Sequence, residues 1–138
     1  VEFADNVLCR TTTRTYDNNF SDITETDSSL LPFIQKAYEY NIFNGDNTDT
    51  TSDISTTFRP TDRINNDELT AIMIRLVTNS IIKESLGDNW ANPYTAKLNL
   101  YTKKSSLDDS GRGNIAEVIY DVYRNNTYTS QSGGYVIQ

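Results

Sequence analysis

The stretch that decides the fold runs from Pro32 to Val77 and has Thr57-Phe58-Arg59-Pro60 at its centre. On the N-terminal side, Pro32–Tyr40 reads as a short helix, because proline suits a first helical turn whose backbone donors have no helical partner. Asn44-Gly45 then supplies a turn in which positive φ is easily adopted. The order is therefore helix, glycine turn, long loop ending in Phe-Arg-Pro, and a second helix.

The second helix is predicted from its start signal and from its apolar stripe. Asn65 and Glu68, three residues apart, form a capping box that satisfies two backbone N–H groups. Apolar residues then recur at the spacing of one helical face, namely Leu69, Ile72, Met73, Leu76 and Val77. The first helix has a similar broad apolar face, made of Phe33, Ile34, Ala37, Tyr38 and Tyr40. Ser28 and Ser29 are candidates for its N-cap.

The pattern occurs a second time along the chain. A stripe of the same spacing, each member 46 positions after its counterpart, consists of Ile115, Val118, Ile119, Val122 and Tyr123. Upstream of it, Pro93, Lys97 and Tyr101 follow Pro32, Lys36 and Tyr40 by 61 positions. The two offsets, 61 and 46, imply that the loop of the second copy is fifteen residues shorter. Two helix pairs are therefore predicted. The connection from Ile81 to Leu86 either extends the second helix or forms a turn.

This order of elements resembles the S-layer homology (SLH) module of bacterial cell-surface proteins. Members read roughly W-A-x-x-Y-I-x-K-A-x-x-x-G-I-x-N-G and then T-F-R-P-x-x-x-I-T-R-A-E-L. The match covers about sixty residues when Phe20-Ser21-Asp22-Ile23 is counted as the usual opening of the module. The predicted fold is mostly α, with tandem helix–loop–helix SLH-like repeats packed around a shared helical core and with long polar loops.

The resemblance also divides the chain. Residues 20–79 are interpreted as one SLH-like repeat and residues 80–126 as a shorter, degenerate one. Residues 1–19 are interpreted as the end of a preceding repeat plus a linker, because the first ten resemble the end of a module's second helix. An unstructured tail is the alternative there. Residues 127–138 form a polar tail in which Tyr135-Val136-Ile137 adds a brief strand or packs onto the bundle.

Composition narrows the classes of partner. With 12 basic and 19 acidic residues, the net charge is −7, which argues against nucleic acid and anionic lipid. No apolar run approaches the roughly 20 residues that a membrane span needs, and the sequence contains neither an initiator methionine nor a charged-then-apolar signal peptide. We therefore expect a mature secreted protein or a piece of a longer one.

Cys9 is the single cysteine, so no intrachain disulfide is expected, and we expect it to be a small buried apolar residue.

No catalytic set is found in the sequence. Histidine, the commonest general base, is absent, and Cys9 has no base to pair with. We therefore expect a protein that is not an enzyme and needs no cofactor.

The long loop between the first two helices contains Asp46, Asp49 and Asp53, whose oxygens suit calcium. Their spacing is not that of an EF-hand, so a solvated surface insertion is the other interpretation.

The resemblance implies where a ligand binds. In the SLH family, grooves between modules hold a cell-wall polysaccharide that is often pyruvylated. An arginine of the I-T-R-A-E element binds the acidic ketal, with help from an aromatic residue and the glycine turn. In this chain, Gly45 and Arg59 match in the first copy, whereas Asn66 occupies the arginine position. In the second copy, which lacks Phe-Arg-Pro, the matching residues are Trp90 and Arg112.

Each of these candidate glycan-binding residues also has a structural interpretation. For Trp90, plain core packing is the preferred interpretation, whereas Arg112 is equally interpretable as a surface arginine or one at the start of a helix. Arg59 is also interpretable as a residue that closes its loop by donating to backbone carbonyls. These alternatives stay open at the level of sequence.

Two functions remain. The first is an extracellular module that anchors a protein to the bacterial cell wall through secondary cell-wall polysaccharide. The second is a subunit of a self-assembling surface array or filament whose degenerate repeats no longer bind glycan. The expected partners are wall polysaccharide, further SLH repeats or copies of the same chain, with neither nucleic acid nor membrane insertion.

Overall fold

A computed structural model describes residues 1–24, 26, 28–46, 57–85, 87–102 and 111–138. Within these residues the protein is mostly helical, as predicted, with five α-helices and one small antiparallel hairpin. The elements are α1 (Glu2–Asn6), α2 (Leu31–Glu39), α3 (Asn66–Thr78), a 3₁₀ turn (Gly87–Asn89), α4 (Asn92–Tyr101), α5 (Arg112–Asn125), β1 (Tyr128–Gln131) and β2 (Gly134–Ile137). No helix in the described ranges is both long enough and apolar enough to cross a membrane.

The start and end of α3 follow from local chemistry. The capping box is present: the Glu68 N–H donates to the Asn65 side chain at 2.9 Å, and the Asn65 N–H donates to the Glu68 carboxylate at 2.9 Å. The helix ends at Thr78 because Asn79 adopts the left-handed conformation, with φ of 53°. The following connection therefore does not extend the helix.

The helices α2 and α4 begin in the same way. Each has proline in its second position, Pro32 and Pro93. The predicted serine N-cap of α2 is wrong: Leu30 occupies that position and makes no side-chain cap. Its carbonyl oxygen accepts the N–H groups of Phe33 and Ile34, both at 3.0 Å, so the helix begins after the two serines.

One hydrophobic core contains residues from all five helices and from β2. The stripe of α3 is confirmed: all its members are buried except Ile72, which is half-buried. Within the stripe of α5, Val118 and Val122 are buried, whereas Tyr123 is 41% exposed. The Tyr123 ring lies edge-on to Phe3 of α1 at 5.4 Å. In the core, α3 packs most extensively against α4 and β2.

A second, smaller core lies on the other side of α2. It contains Phe20, Ile34 and Tyr38, with Phe58 packed against it. The helix α2 therefore has two buried faces rather than the single broad face that was predicted. Phe33 lies outside both and is 44% exposed.

The first ten residues are ordered, and they contact the C-terminal hairpin. The predicted short helix is present as α1, and the alternative of an unstructured tail is wrong. After α1, the Leu8 carbonyl accepts the Tyr135 N–H at 2.7 Å, and the buried Arg10 side chain donates to the Leu76 carbonyl. The prediction that Cys9 is buried is wrong: its φ is 48° and its side chain is exposed. Pairing of this backbone with β2 turns the thiol outward while Leu8 enters the core.

Candidate functional site

A cleft of about 650 Å³ lies between the two predicted repeats. Its floor is the face of α3 around Ile72 and Arg75. One wall comes from residues 43–46 and from the Phe-Arg-Pro segment with the residues that follow it. A second wall comes from four residues that precede α4, namely Glu84, Ser85, Gly87 and Trp90. Both predicted repeats thus contribute to one concave surface.

Three of the four predicted glycan-binding residues line this cleft. Gly45, with φ of 77°, forms part of the first wall beside Arg59, and Trp90 forms part of the second wall. Arg112 lies elsewhere, as the exposed first residue of α5, and does not line the cleft. The structure therefore brings the candidates together with this one exception.

The Arg59 side chain is held by three carboxylates. Its Nε and one Nη bond both oxygens of Asp46, the same Nη donates to Glu68, and the other Nη lies 3.4 Å from Asp62. Hydrogen bonds from Arg59 to Asp46 and Glu68 raise the pKa of its guanidinium, so the group is always charged. Arg59 does close its loop, but onto carboxylates rather than the predicted backbone carbonyls.

The backbone of Arg59 is also constrained. Its φ is 57°, in the left-handed region that is costly for residues with a side chain. The Asp22 carboxylate accepts the N–H groups of Phe58 and Arg59 at 2.8 and 2.7 Å. Partial burial acts to raise the pKa of Asp22, but hydrogen bonds from backbone N–H groups, these two among them, together with the Arg59 charge outweigh burial and lower that pKa. The opening element at Phe20–Ile23 and the Phe-Arg-Pro element therefore meet in space.

Asp46 holds the ends of the long loop together through Arg59 and Thr57 and is not free to bind a metal ion. Both of its carboxylate oxygens contact Arg59, and its N–H donates to the Thr57 carbonyl at 2.9 Å. Asp49 and Asp53, the other two residues of the predicted calcium site, lie outside the described residues. Among the described residues, no group of three or more His, Cys, Asp or Glu side chains is placed to hold a metal ion.

Aromatic rings line two sides of the cleft. On the first wall, the rings of Phe43 and Phe58 meet edge-on at 5.2 Å. On the second wall, the ring of Trp90 lies 6.2 Å from that of Tyr94, and the backbone N–H of Trp90 donates to the Gly87 carbonyl at 3.1 Å. Trp90 is half-buried and packs against the main core, so it both supports the core and faces the cleft.

A second ion pair, which sequence reasoning missed, lies on the floor of the cleft. The Arg75 side chain is 8% exposed and donates to Glu84 at 2.6 Å and to the Tyr94 hydroxyl at 3.1 Å. Burial raises the pKa of Tyr94, so this phenol stays protonated. An arginine inside an apolar helical face was the available signal, because a buried guanidinium needs an acidic partner.

Arg63 is a further cleft residue that the sequence did not single out. It is exposed, and no ion pair with it is found among the residues that the structure describes. The charged residues that line the cleft are Arg59, Arg63, Arg75, Asp46, Asp62, Glu68 and Glu84. Because Arg59 and Arg75 are already paired with acids, Arg63 is the lining cation most accessible to a ligand.

Comparison with protein-family models, curated proteins and solved structures found no match to this chain. The SLH resemblance therefore depends on the residues quoted for it and stays a prediction.

Proposed function

We propose that this chain is a non-catalytic, extracellular module that anchors a protein to the bacterial cell wall by binding secondary cell-wall polysaccharide. The observation that carries the proposal is the cleft, in which Gly45, Arg59 and Trp90 lie around one concave surface between the two predicted repeats. The SLH resemblance implies glycan binding in a groove at this kind of position. The aromatic rings of Phe43, Phe58 and Trp90 that line the cleft suit the apolar faces of sugar rings.

The bounds of the helices support two tandem repeats. The helices α2 and α4 each place proline in the second position, 61 residues apart. The helices α3 and α5 begin at Asn66 and Arg112, which are 46 residues apart, as the two apolar stripes are. The same offsets thus recur in helix bounds and in sequence pattern.

The common core supports the packing that the proposal requires. Buried side chains from α1, α3 and α5, the three helices interpreted as second helices of successive repeats, belong to the same cluster. Ala4, Met73 and Val122 represent them, each with at most 1% exposure. We infer from this that the repeats share one helical centre and place their grooves around it.

The experiment is co-sedimentation of the protein with purified cell walls, before and after extraction of the secondary polysaccharide. We expect binding that disappears on extraction and that Arg63→Ala weakens. Tyr120→Ala is a matched control, because Tyr120 is 60% exposed and lies outside the cleft. Arg112→Ala tests whether the remaining predicted residue makes a separate contact. Equal binding to intact and extracted walls would contradict the proposal.

A self-assembling surface array is the second candidate, and exposed apolar side chains favour it. Among the apolar side chains that the structure describes, the largest exposures are those of Leu100 at 77%, Tyr120 at 60% and Leu30 at 50%. Asn66 at the family's arginine position also fits a repeat that has lost glycan binding. Sedimentation velocity over a range of protein concentrations separates the candidates. Concentration-dependent assembly together with unchanged binding to extracted walls would favour the array.

A further inference from the structure

The charge in the cleft indicates which kind of sugar it accepts. We propose that the cleft selects a glycan segment without acidic substituents and disfavours a carboxylated or pyruvylated one. This inference rests on the proposed function, and it departs from the acidic ligand that the SLH resemblance implies. It follows from how the three lining arginines are used.

Arg59 is unavailable to an acidic sugar. Its guanidinium already contacts Asp46, Glu68 and Asp62, so one positive charge is surrounded by three negative ones. A ligand carboxylate would have to displace one of these partners from a network that also fixes the loop. Because the surroundings of Arg59 are net negative, they repel a second anion.

Arg75 is unavailable for a similar reason. It is almost fully buried on the floor, and two of its nitrogens donate to Glu84 and to the Tyr94 hydroxyl. A sugar carboxylate at the floor would meet the Glu84 carboxylate beside it. Removing one partner of a buried ion pair leaves an uncompensated charge, so exchange of Glu84 for a ligand acid is unfavourable.

Arg63 is therefore the one lining arginine left to attract an anion, and the carboxylates that line the cleft oppose it. The Asp62 side chain is 56% exposed and the Glu84 side chain 36% exposed, and each has one carboxylate oxygen that makes no hydrogen bond to the described residues. The family's arginine position, at the start of α3, is Asn66.

The same groups suit a sugar that is rich in hydroxyls. Carboxylate oxygens accept hydrogen bonds from hydroxyl groups, and such charge-assisted bonds are strong and directional. The rings of Phe43, Phe58 and Trp90 offer apolar surface for the faces of pyranose rings. Recognition would thus come from stacking and from hydrogen bonds with sugar hydroxyls, to which Arg63 would donate without an acidic partner on the ligand.

The test is calorimetric titration with solubilised wall polysaccharide before and after chemical reduction of its carboxyl groups to alcohols. Reduction keeps the sugar chain and removes its charge. We expect the reduced polysaccharide to bind at least about tenfold more tightly than the untreated form, an effect of a few charges at close range. Binding that is lost on reduction would overturn this inference alone. Absence of binding by both forms would instead overturn the proposed function.

A pair of variants tests the same inference from the side of the protein. Asp62→Asn removes an exposed negative charge from the cleft, and we expect it to narrow the difference in affinity between the untreated and the reduced polysaccharide. Asp67→Asn is the matched control, because Asp67 is exposed in the first turn of α3 and does not line the cleft. Equal effects of Asp62→Asn on both forms would contradict a role for charge.

Discussion

Arg59 and Asp22 together fix the backbone at the edge of the cleft. A left-handed φ costs an arginine about 1 kcal/mol, and the Asp22 carboxylate offsets this cost by accepting two consecutive backbone N–H groups. The guanidinium then joins Asp46, at one end of the long loop, to Glu68 of α3. Since Glu68 also belongs to the capping box, the loop end and the helix start are held by one set of charges.

The lowered pKa of Asp22 predicts a dependence of stability on pH. Its folded-state pKa lies below the ordinary value of 3.8, so the stabilisation is fully present above that value and is lost as the pH falls through the folded-state pKa. We expect Asp22→Asn to lower the free energy of unfolding by about 1.5 kcal/mol at about pH 7, and by less at about pH 3. Urea unfolding of parent and variant at both pH values measures the difference.

The control for this prediction is Asp17→Asn, which removes one negative charge at an exposed position. It should change stability little at either pH. A loss at Asp22→Asn that is equally large at both pH values would mean that the carboxylate charge does not stabilise the Phe58 and Arg59 N–H groups.

The C-terminal hairpin and the N-terminal segment meet at Gly134. Its φ is 111°, and a Cβ atom there would lie 2.5 Å from the Leu8 carbonyl oxygen. Such a contact is far too short, so the hairpin requires glycine at this position. Arg10 reinforces the junction by bonding the Leu76 carbonyl near the C-terminus of α3 and, at 3.3 Å, the Tyr135 carbonyl. A cation there also suits the negative end of the helix dipole.

Two glycine substitutions therefore have opposite expected effects. Gly134→Ala should lower the free energy of unfolding by about 2–3 kcal/mol, because it adds both backbone strain and a collision with Leu8. Gly113→Ala, in the first turn of α5 with no atom within 4 Å of the added methyl, should raise it by about 0.5 kcal/mol. Thermal unfolding of both variants measures this. If the Gly134→Ala and Gly113→Ala variants were equally stable, the close approach of Gly134 to the Leu8 carbonyl would be contradicted.

Local sequence signals predicted the helices and failed for contacts between distant segments. The capping box of Asn65 and Glu68 acts over three residues, and apolar spacing acts over a few turns, so both can be read from sequence. The exposure of Cys9 depends on pairing with Tyr135 across the whole chain, and no local pattern encodes it. The sequence also did not show that Asp46 and Glu68 pair with Arg59. These acids are 13 and 9 positions away along the chain and meet Arg59 only in the fold.

The shared core predicts that the described helices unfold together. Met73 of α3 is 1% exposed and belongs to the cluster that also contains Tyr94 and Val122 of the second predicted repeat. We expect Met73→Ala to cost about 2–5 kcal/mol. The single tryptophan, Trp90, reports on the second repeat, and far-UV circular dichroism reports on all helices. Both transitions should shift to the same lower midpoint. Separate midpoints would contradict a common core.

Binding of wall polysaccharide in the cleft is most directly tested by the fluorescence of Trp90. This residue is the only tryptophan of the chain, and it lines the cleft together with Arg59. Titration with solubilised wall polysaccharide is predicted to give a saturable change in Trp90 emission, with weaker apparent affinity in Arg63→Ala and unchanged affinity in Tyr120→Ala. Emission that stays constant up to polysaccharide concentrations at which the protein co-sediments with cell walls would place binding outside the cleft and contradict the proposal.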